Sequence, residues 1–143
     1  MATDFRVTDA RAADALDNLL TSEASEGILR IYAGSLSAGE PAAPSGDVLA
    51  ELTMHATAFG APAADGANVK TTAGTITADS SANATGTAGC FVLWDSAGTT
   101  PLCAGTVGTS ECDMTIDNTS IAAGATVSCS AFTISLPKGW TTA

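Results

Sequence analysis

Residues 86–107, GTAGCFVLWDSAGTTPLCAGTV, contain the stretch that decides the fold. Within it, Cys90–Asp95 is the most apolar strand candidate of the chain. One face carries Cys90, Val92 and Trp94, and the other carries Phe91 and Leu93. A strand with two apolar faces is typical of the centre of a sheet that is covered on both sides. Ser-Ala-Gly at 96–98 then predicts a turn into a further strand over Pro101–Val107.

Outward from this centre, apolar patterns of period two alternate with turn signals. The other predicted strands are Ile28–Tyr32, Val48–Met54, Val69–Thr77, residues 112–117 and Thr126–Leu136. Gly74 weakens the third of these strands, which is placed at a sheet edge. The apolar set of the last strand changes parity after Ala131, as across a β-bulge. The pattern predicts a mainly β fold, an antiparallel β-sandwich or barrel of seven to eight short strands with one N-terminal helix.

The predicted helix covers residues 8–24 and precedes the strands. Thr8 is a suitable N-cap, Asp9 faces the positive end of the helix dipole, and Gly27 is a natural stop. The apolar residues at spacings of three and four are Ala13, Leu16, Leu19 and Leu20. The helix either covers one end of the β core or docks on a neighbouring subunit together with an arm formed by residues 1–7. Residues 8–143 are then a single β-rich domain.

Composition limits the classes of partner. The chain has 143 residues, the size of one domain, and its 45% of apolar residues can form one core. Its net charge is −10, and its five Lys and Arg residues are too few to neutralise a run of phosphates. An anionic membrane would repel such a chain, whereas a basic protein surface would attract it. We therefore expect a protein partner and neither nucleic acid nor membrane.

The sequence predicts neither a membrane span nor secretion. No apolar run approaches the length of a transmembrane helix. The N-terminal MATDFRVTDARAADALDNLL lacks the basic segment followed by an apolar segment that marks a secretory signal. The chain is therefore expected to be made and folded in a cytoplasm.

Residues that carry catalysis are sparse. His55 is the single histidine, and no serine stands in a G-x-S-x-G motif. Asp113 and Asp117 lie on one strand face and are interpreted as a solvated acidic surface rather than a catalytic pair. No loop has the spacing of a calcium site or of a phosphate-binding loop. The sequence therefore predicts no enzyme, no catalytic residue, no metal and no cofactor.

The cysteines and tryptophans leave alternatives open. Cys90, Cys103, Cys112 and Cys129 have no CxxC or zinc-binding spacing and are interpreted as buried free thiols. The alternative is one disulfide between Cys112 and Cys129, on neighbouring predicted strands, formed in an oxidising medium. Trp94 is predicted in the core. Trp140, close to the C-terminus, either anchors an interface or packs back on its own domain.

Three long segments carry a family resemblance. They are ILRIYAGSLSAGEPAAPSGDVLAELTMHATAFG at 28–60, GTAGCFVLWDSAGTTPLCAGTVGTS at 86–110 and DMTIDNTSIAAGATVSCSAFTISLP at 113–137, preceded by the helix segment ADALDNLL. In this order they cover most of the chain and resemble a family of small structural proteins of tailed-bacteriophage virions. Within that family the chain is most similar to a head decoration, or cement, protein.

The resemblance implies a protein of the virion, made in the host cytoplasm, that decorates and stabilises the capsid exterior. Its implied partners are the major capsid protein and neighbouring copies in a trimer, whose linked contacts add up. The contacts are expected in residues 1–7, the 34–47 loop and the 55–68 loop. The individual interface candidates are Phe5, Arg6, Val7, Pro41, Pro44, Phe59 and Trp140.

Two other functions stay open at the level of the sequence. A tail or neck component of the virion has the same requirements, and the number of copies per particle distinguishes it from a decoration protein. A carbohydrate-binding module, a different class, would use Trp140 or loop residues to stack on sugars.

Overall fold

The computed structural model describes residues 3–20, 23–36 and 44–142, with side chains from residue 6 to residue 138 of these ranges. In these ranges one helix, α1 (Asp9–Leu20), accompanies twelve strands. The strands are β1 (Thr3–Arg6), β2 (Ile28–Ala33), β3 (Val48–Met54), β4 (Ala63–Asp65), β5 (Asn68–Thr72), β6 (Ile76–Thr77), β7 (Gly86–Trp94), β8 (Pro101–Gly108), β9 (Met114–Ile116), β10 (Ser120–Ile121), β11 (Cys129–Pro137) and β12 (Gly139–Thr142). The predicted mainly β fold with one leading helix is confirmed.

Ten of these strands form one curled, open sheet that resembles half of a barrel. Its order is β4-β5-β11-β9-β8-β7-β2-β3-β6, with β10 paired to the beginning of β7. Within the described part of the chain, β8 and β9 are the one parallel pair, and the other pairs are antiparallel. The remaining strands, β1 and β12, pair with each other outside this sheet.

Strand β7 lies at the centre of the sheet, between β2 and β8, as its two apolar faces predict. Phe91 and Leu93 belong to the main core, which also contains the buried side of α1. The opposite face of β7 contributes to a second apolar cluster that consists of Tyr32, Cys90, Val92 and Trp94. Trp94 is 7% exposed, so its predicted place in the interior is confirmed.

The helix differs from its prediction in length and in its buried face. Its N-cap is confirmed, because the backbone N–H of Arg11 donates to Thr8 Oγ1 at 3.4 Å. It ends at Leu20 rather than at residue 24. Its buried stripe consists of Ala12, Leu16 and Leu20. These residues are four apart and therefore lie on one side of the helix. Leu19 lies beside this narrow stripe and is 38% exposed.

Gly27 has a different role from the helix stop predicted for it. A Cβ atom at Gly27 would lie 2.6 Å from the carbonyl oxygen of Trp94 and 3.0 Å from that of Ala24. The close approach of the chain to the end of β7 therefore excludes a side chain at this position.

Two strand predictions are corrected. Val69–Thr77 is not one edge strand: it is divided into β5, which lies inside the sheet between β4 and β11, and β6, which lies at the edge opposite to β4. Residues 3–6, predicted as part of a loosely ordered arm, form strand β1. The bulge in the last strand is confirmed, because the register of β11 against β9 shifts between Cys129 and Ala131.

In the described ranges, no helix combines the length and apolar character needed to cross a bilayer.

Candidate interface at the chain termini

The two ends of the chain meet in a separate two-stranded ribbon, which we call the terminal ribbon (β1 and β12). Its antiparallel register pairs Thr3 with Thr142 and Arg6 with Gly139. Phe5 and Trp140 occupy directly opposite positions. The structure thus brings together two aromatic interface candidates that are separated by almost the whole length of the sequence.

Lys138 fixes the base of the ribbon to the domain. Its backbone carbonyl accepts from Val7 N at 2.8 Å, and its own N–H donates to the carbonyl of Ala67 at 3.0 Å. Its ammonium group contacts Asp9 Oδ1 at 2.8 Å, with the Lys138 side chain 19% exposed. These contacts attach the ribbon to the β4–β5 turn and to the first turn of α1.

The arm candidates whose side chains are described have different environments. Arg6 is exposed, whereas Val7 is half-buried against the main core. Val7 therefore helps to hold the arm on its own domain.

The loop candidates do not form an exposed surface with the ribbon. Phe59 is 3% exposed, and its ring packs edge-to-face on Phe132 with 5.6 Å between centroids. A bridge between Phe59 and Ala73 holds this segment beside β5, which explains why its aromatic ring lies in the core. Pro44 is also buried, and Pro41 lies outside the described residues. The predicted interface roles of Phe59 and Pro44 are therefore corrected.

All four cysteines are free thiols, and the alternative Cys112–Cys129 disulfide is not formed. Burial raises the pKa of Cys90, and it raises the pKa of Cys103 to about 12. The pKa of Cys129 is raised to about 11, chiefly by burial and further by the charges of Asp117 and Cys112. Three of the thiols are thus held in their neutral form at physiological pH.

A polar network covers the end of the second apolar cluster. Arg30 Nε donates to Glu51 Oε2 at 2.8 Å, and its guanidinium lies 5.1 Å from the Trp94 ring centroid. The bond to Glu51 is the main cause of the raised pKa of Arg30. Asn83 Nδ2 donates to the other Glu51 oxygen at 3.3 Å. These contacts connect β2, β3 and the turn that precedes β7, so they hold the sheet together at this point.

The remaining polar candidates do not converge on a catalytic or metal-binding cluster. His55 is exposed, and its Nδ1 accepts from Thr57 N at 3.0 Å. In the described part of the chain, no three or more His, Cys, Asp or Glu side chains are grouped as metal ligands. Asp113 and Asp117 are both exposed, as interpreted from the sequence, and Asp113 also accepts from Thr106 N at 2.8 Å and from Thr106 Oγ1 at 3.0 Å. Local alternation could not reveal this contact, because it depends on the pairing of β8 with β9.

Comparison of the chain with models of protein families, with curated proteins and with solved structures finds no match. The resemblance to virion structural proteins therefore stays a prediction.

Proposed function

We propose that this protein is a structural component of a tailed-bacteriophage virion that decorates and stabilises the capsid exterior. It acts through contacts with the major capsid protein and with neighbouring copies. The observation that supports this proposal best is the terminal ribbon, which joins both chain ends outside the ten-stranded sheet.

The ribbon has the physical properties of a contact element. A two-stranded ribbon is marginally stable by itself in water, and each of its outer edges can pair with a further strand. The opposite positions of Phe5 and Trp140 add aromatic residues, a type that is enriched at interfaces. Binding of the ribbon to a capsid protein would therefore stabilise both partners.

The body of the molecule is suited to support such a contact. Its ten-stranded sheet is packed around a continuous apolar core, so the base of the ribbon is held on a stiff element. The net charge of −10 favours a basic partner surface over a second acidic one. Repetition of the contact in a trimer would raise the strength of attachment through effective concentration.

The test is retention on purified capsids of the phage that encodes the chain. A chain without residues 1–7 loses β1 and the pairing of β12, and we expect its retention to fall by at least about tenfold. The exposed substitution Thr126→Ala, outside the ribbon, serves as the matched control. Circular dichroism checks that both chains keep their sheet. Unchanged retention of the shortened chain would remove the ribbon from the mechanism.

Copy number tests the location on the particle. Quantitative mass spectrometry of purified virions is expected to give on the order of hundreds of copies, as repeated capsid positions require. A few copies, or a few dozen, would assign the protein to the tail or neck. Absence from assembled particles would overturn the proposal.

A further inference from the structure

The main sheet contains a gap between β8 and β11. Strand β9 separates these two strands, but it has only three residues. It pairs with β8 at Val107 and Gly108, and with β11 over Cys129–Phe132. Beyond the N-terminal end of β9, no described strand lies between β8 and β11. There, residues 101–106 of β8 pair only with β7, and residues 133–137 of β11 pair only with β5, among the described strands.

The gap arises from the short connection between β8 and β9. Parallel neighbours ordinarily need a crossover of a dozen or more residues, yet residues 109–113 alone make this connection. Glu111 adopts φ 51°, the left-handed conformation of a tight reversal. The chain therefore enters β9 late, and the Asp113 carboxylate, bound to Thr106 N and Oγ1, closes the gap at this end.

Backbone groups on both walls face the gap. On the β8 wall, Thr106 N donates to Asp113 and therefore points away from β7. Residues two apart in an antiparallel strand direct their backbone groups to the same side, so the N–H and C=O of Ala104 also point away from β7 and into the gap. On the other wall, the carbonyl of Thr72 accepts from Gly60 N and therefore points away from β11. Thr133, which pairs with Thr72, therefore directs its N–H and C=O away from β5 and toward the gap. Ser135, two residues further along the strand, directs its backbone groups to the same side.

The floor of the gap is lined by both apolar and polar groups, and two aromatic rings of the core contribute to it. A cavity of about 250 Å³ lies here, lined by Phe91, Cys103, Ala104, Asp113, Phe132 and residues 133–135. Phe91 and Phe132 are in edge-to-face contact, with 5.0 Å between their centroids. Next to the N-terminal end of β9, the gap between β8 and β11 is as wide as one strand, because β9 fills this space further along. An extended chain with an apolar residue fits these dimensions and this chemistry.

We propose that this gap binds residues 1–7 of a second copy as an added β-strand, an inference that rests on the proposed function and names its self-contact. The arm has the required extended form, since residues 3–6 are a strand in this chain. Among the described strands it pairs with β12, outside the main sheet, and its four residues fit within the open walls, which span residues 101–106 and 133–137. If β1 of one copy moved into the gap of another, it would lose its pairing with β12 and could instead pair with β8 on one side and β11 on the other.

Charge and side-chain type also favour this occupant. Asp113 places a carboxylate in the gap, and Glu111 is exposed beside it in the sequence. A chain with 15 acidic and five basic residues has few cations to offer, and the arm contains one of them, Arg6, with Asp4 on the other side of the apolar Phe5. The arm thus offers Phe5 for the floor and Arg6 for the acidic end, while its Asp4 is the one group that the Asp113 carboxylate would repel.

A fluorescein-labelled peptide of residues 1–8, MATDFRVT, tests the inference when titrated with the full chain and followed by fluorescence anisotropy. We expect saturable binding, and at least about tenfold weaker binding for peptides with Phe5→Ser or Arg6→Glu. These peptide variants leave the protein fold unchanged. Ser135→Pro removes one N–H that faces the gap but none that pairs with β5, so it should weaken binding similarly. Thr126→Ala, at an exposed position outside the gap, is the matched control.

The outcomes separate this inference from the proposed function. Absence of saturable binding, or equal binding of a scrambled peptide and insensitivity to Ser135→Pro, would overturn the strand exchange. If the arm is still required for retention on capsids, the proposed function stands and the arm contacts the capsid protein instead. Peptide binding without any effect of the arm on capsid retention would support the exchange and would remove the arm from the attachment to the capsid.

Discussion

At the scale of single residues, the aromatic side chain of Phe132 joins the two halves of the core. It contacts Phe59 on one side and Phe91 on the other, each edge-to-face. Phe132 is 2% exposed, so a smaller side chain at this position would leave space in the core. The β-bulge before it explains this position, because the change of parity directs Phe132 inward.

Phe132→Ala is therefore expected to lower the free energy of unfolding by about 3–5 kcal/mol, through lost burial and the cavity left behind. Urea denaturation measures this change. Thr133→Ala, at the adjacent exposed position, should change the free energy by less than about 0.5 kcal/mol. Equal effects of the two substitutions would show that the aromatic cluster does not support the core.

Two half-buried thiols, Cys103 and Cys129, predict a loss of stability at alkaline pH. Burial raises the pKa of Cys103 from 9.0 to about 12 and that of Cys129 from 9.0 to about 11. In the unfolded chain both thiols ionise near 9, so the folded state keeps protons that the unfolded state has lost. Their contribution is complete below the unfolded pKa and disappears as the pH rises through the folded values.

The free energy of unfolding should consequently fall between about pH 9 and about pH 12, from the unfolded pKa of the thiols to the folded pKa of Cys103. In the double variant Cys103→Ala and Cys129→Ala, this fall should be smaller, since the two titrating groups are absent. Urea midpoints at several pH values give the comparison between the two chains. Parallel pH profiles of the two chains would contradict the assignment.

At the scale of elements, Lys138 is the described residue that fixes the base of the terminal ribbon. It forms one ion pair with Asp9, whose side chain is 66% exposed, and backbone bonds with Val7 and Ala67. A partly exposed pair of this kind contributes about 0.3–1 kcal/mol. Loss of the pair should therefore loosen the ribbon without unfolding the domain.

Lys138→Met should increase amide hydrogen exchange in residues 3–6, because it removes the ion pair while keeping an apolar stem. Amides of β7, in the centre of the sheet, should keep their protection. Mass spectrometry of peptic fragments provides the measurement. An equal increase in both segments would mean that the substitution destabilises the whole domain rather than the ribbon.

At the scale of the whole molecule, the charge is as important as the fold. Fifteen acidic residues against five basic ones give a field that attracts a basic partner over distances of about 10 Å. The curled sheet adds a rigid support, so the partner meets a surface that does not need to reorganise.

Attachment to capsids should therefore weaken with salt. Raising NaCl from about 0.05 M to about 0.5 M is expected to slow association and to reduce retention, because screening shortens the range of the attraction. Stopped-flow or surface-plasmon measurements separate the association rate from dissociation. An association rate that does not change with salt would exclude a basic partner surface.

Several features of the fold could be predicted because they depend on neighbours along the chain. Strand β3 has the predicted bounds, β7 is central, the bulge of β11 is present, and Thr8 caps the helix. The candidate site was predicted only in part. Phe5 and Trp140 were each chosen separately, and their pairing in one ribbon was not foreseen.

By itself, the sequence determined the kind of fold and the apolar faces of its main strands, since alternation of side chains is a local property. Only the tertiary structure decided that β1 pairs with β12, that β9 is parallel to β8, and that Phe59 lies in the core. Pairing of distant segments is set by the burial and hydrogen bonding of the complete sheet. A periodic pattern shows which way a side chain faces but not which strand lies beside it.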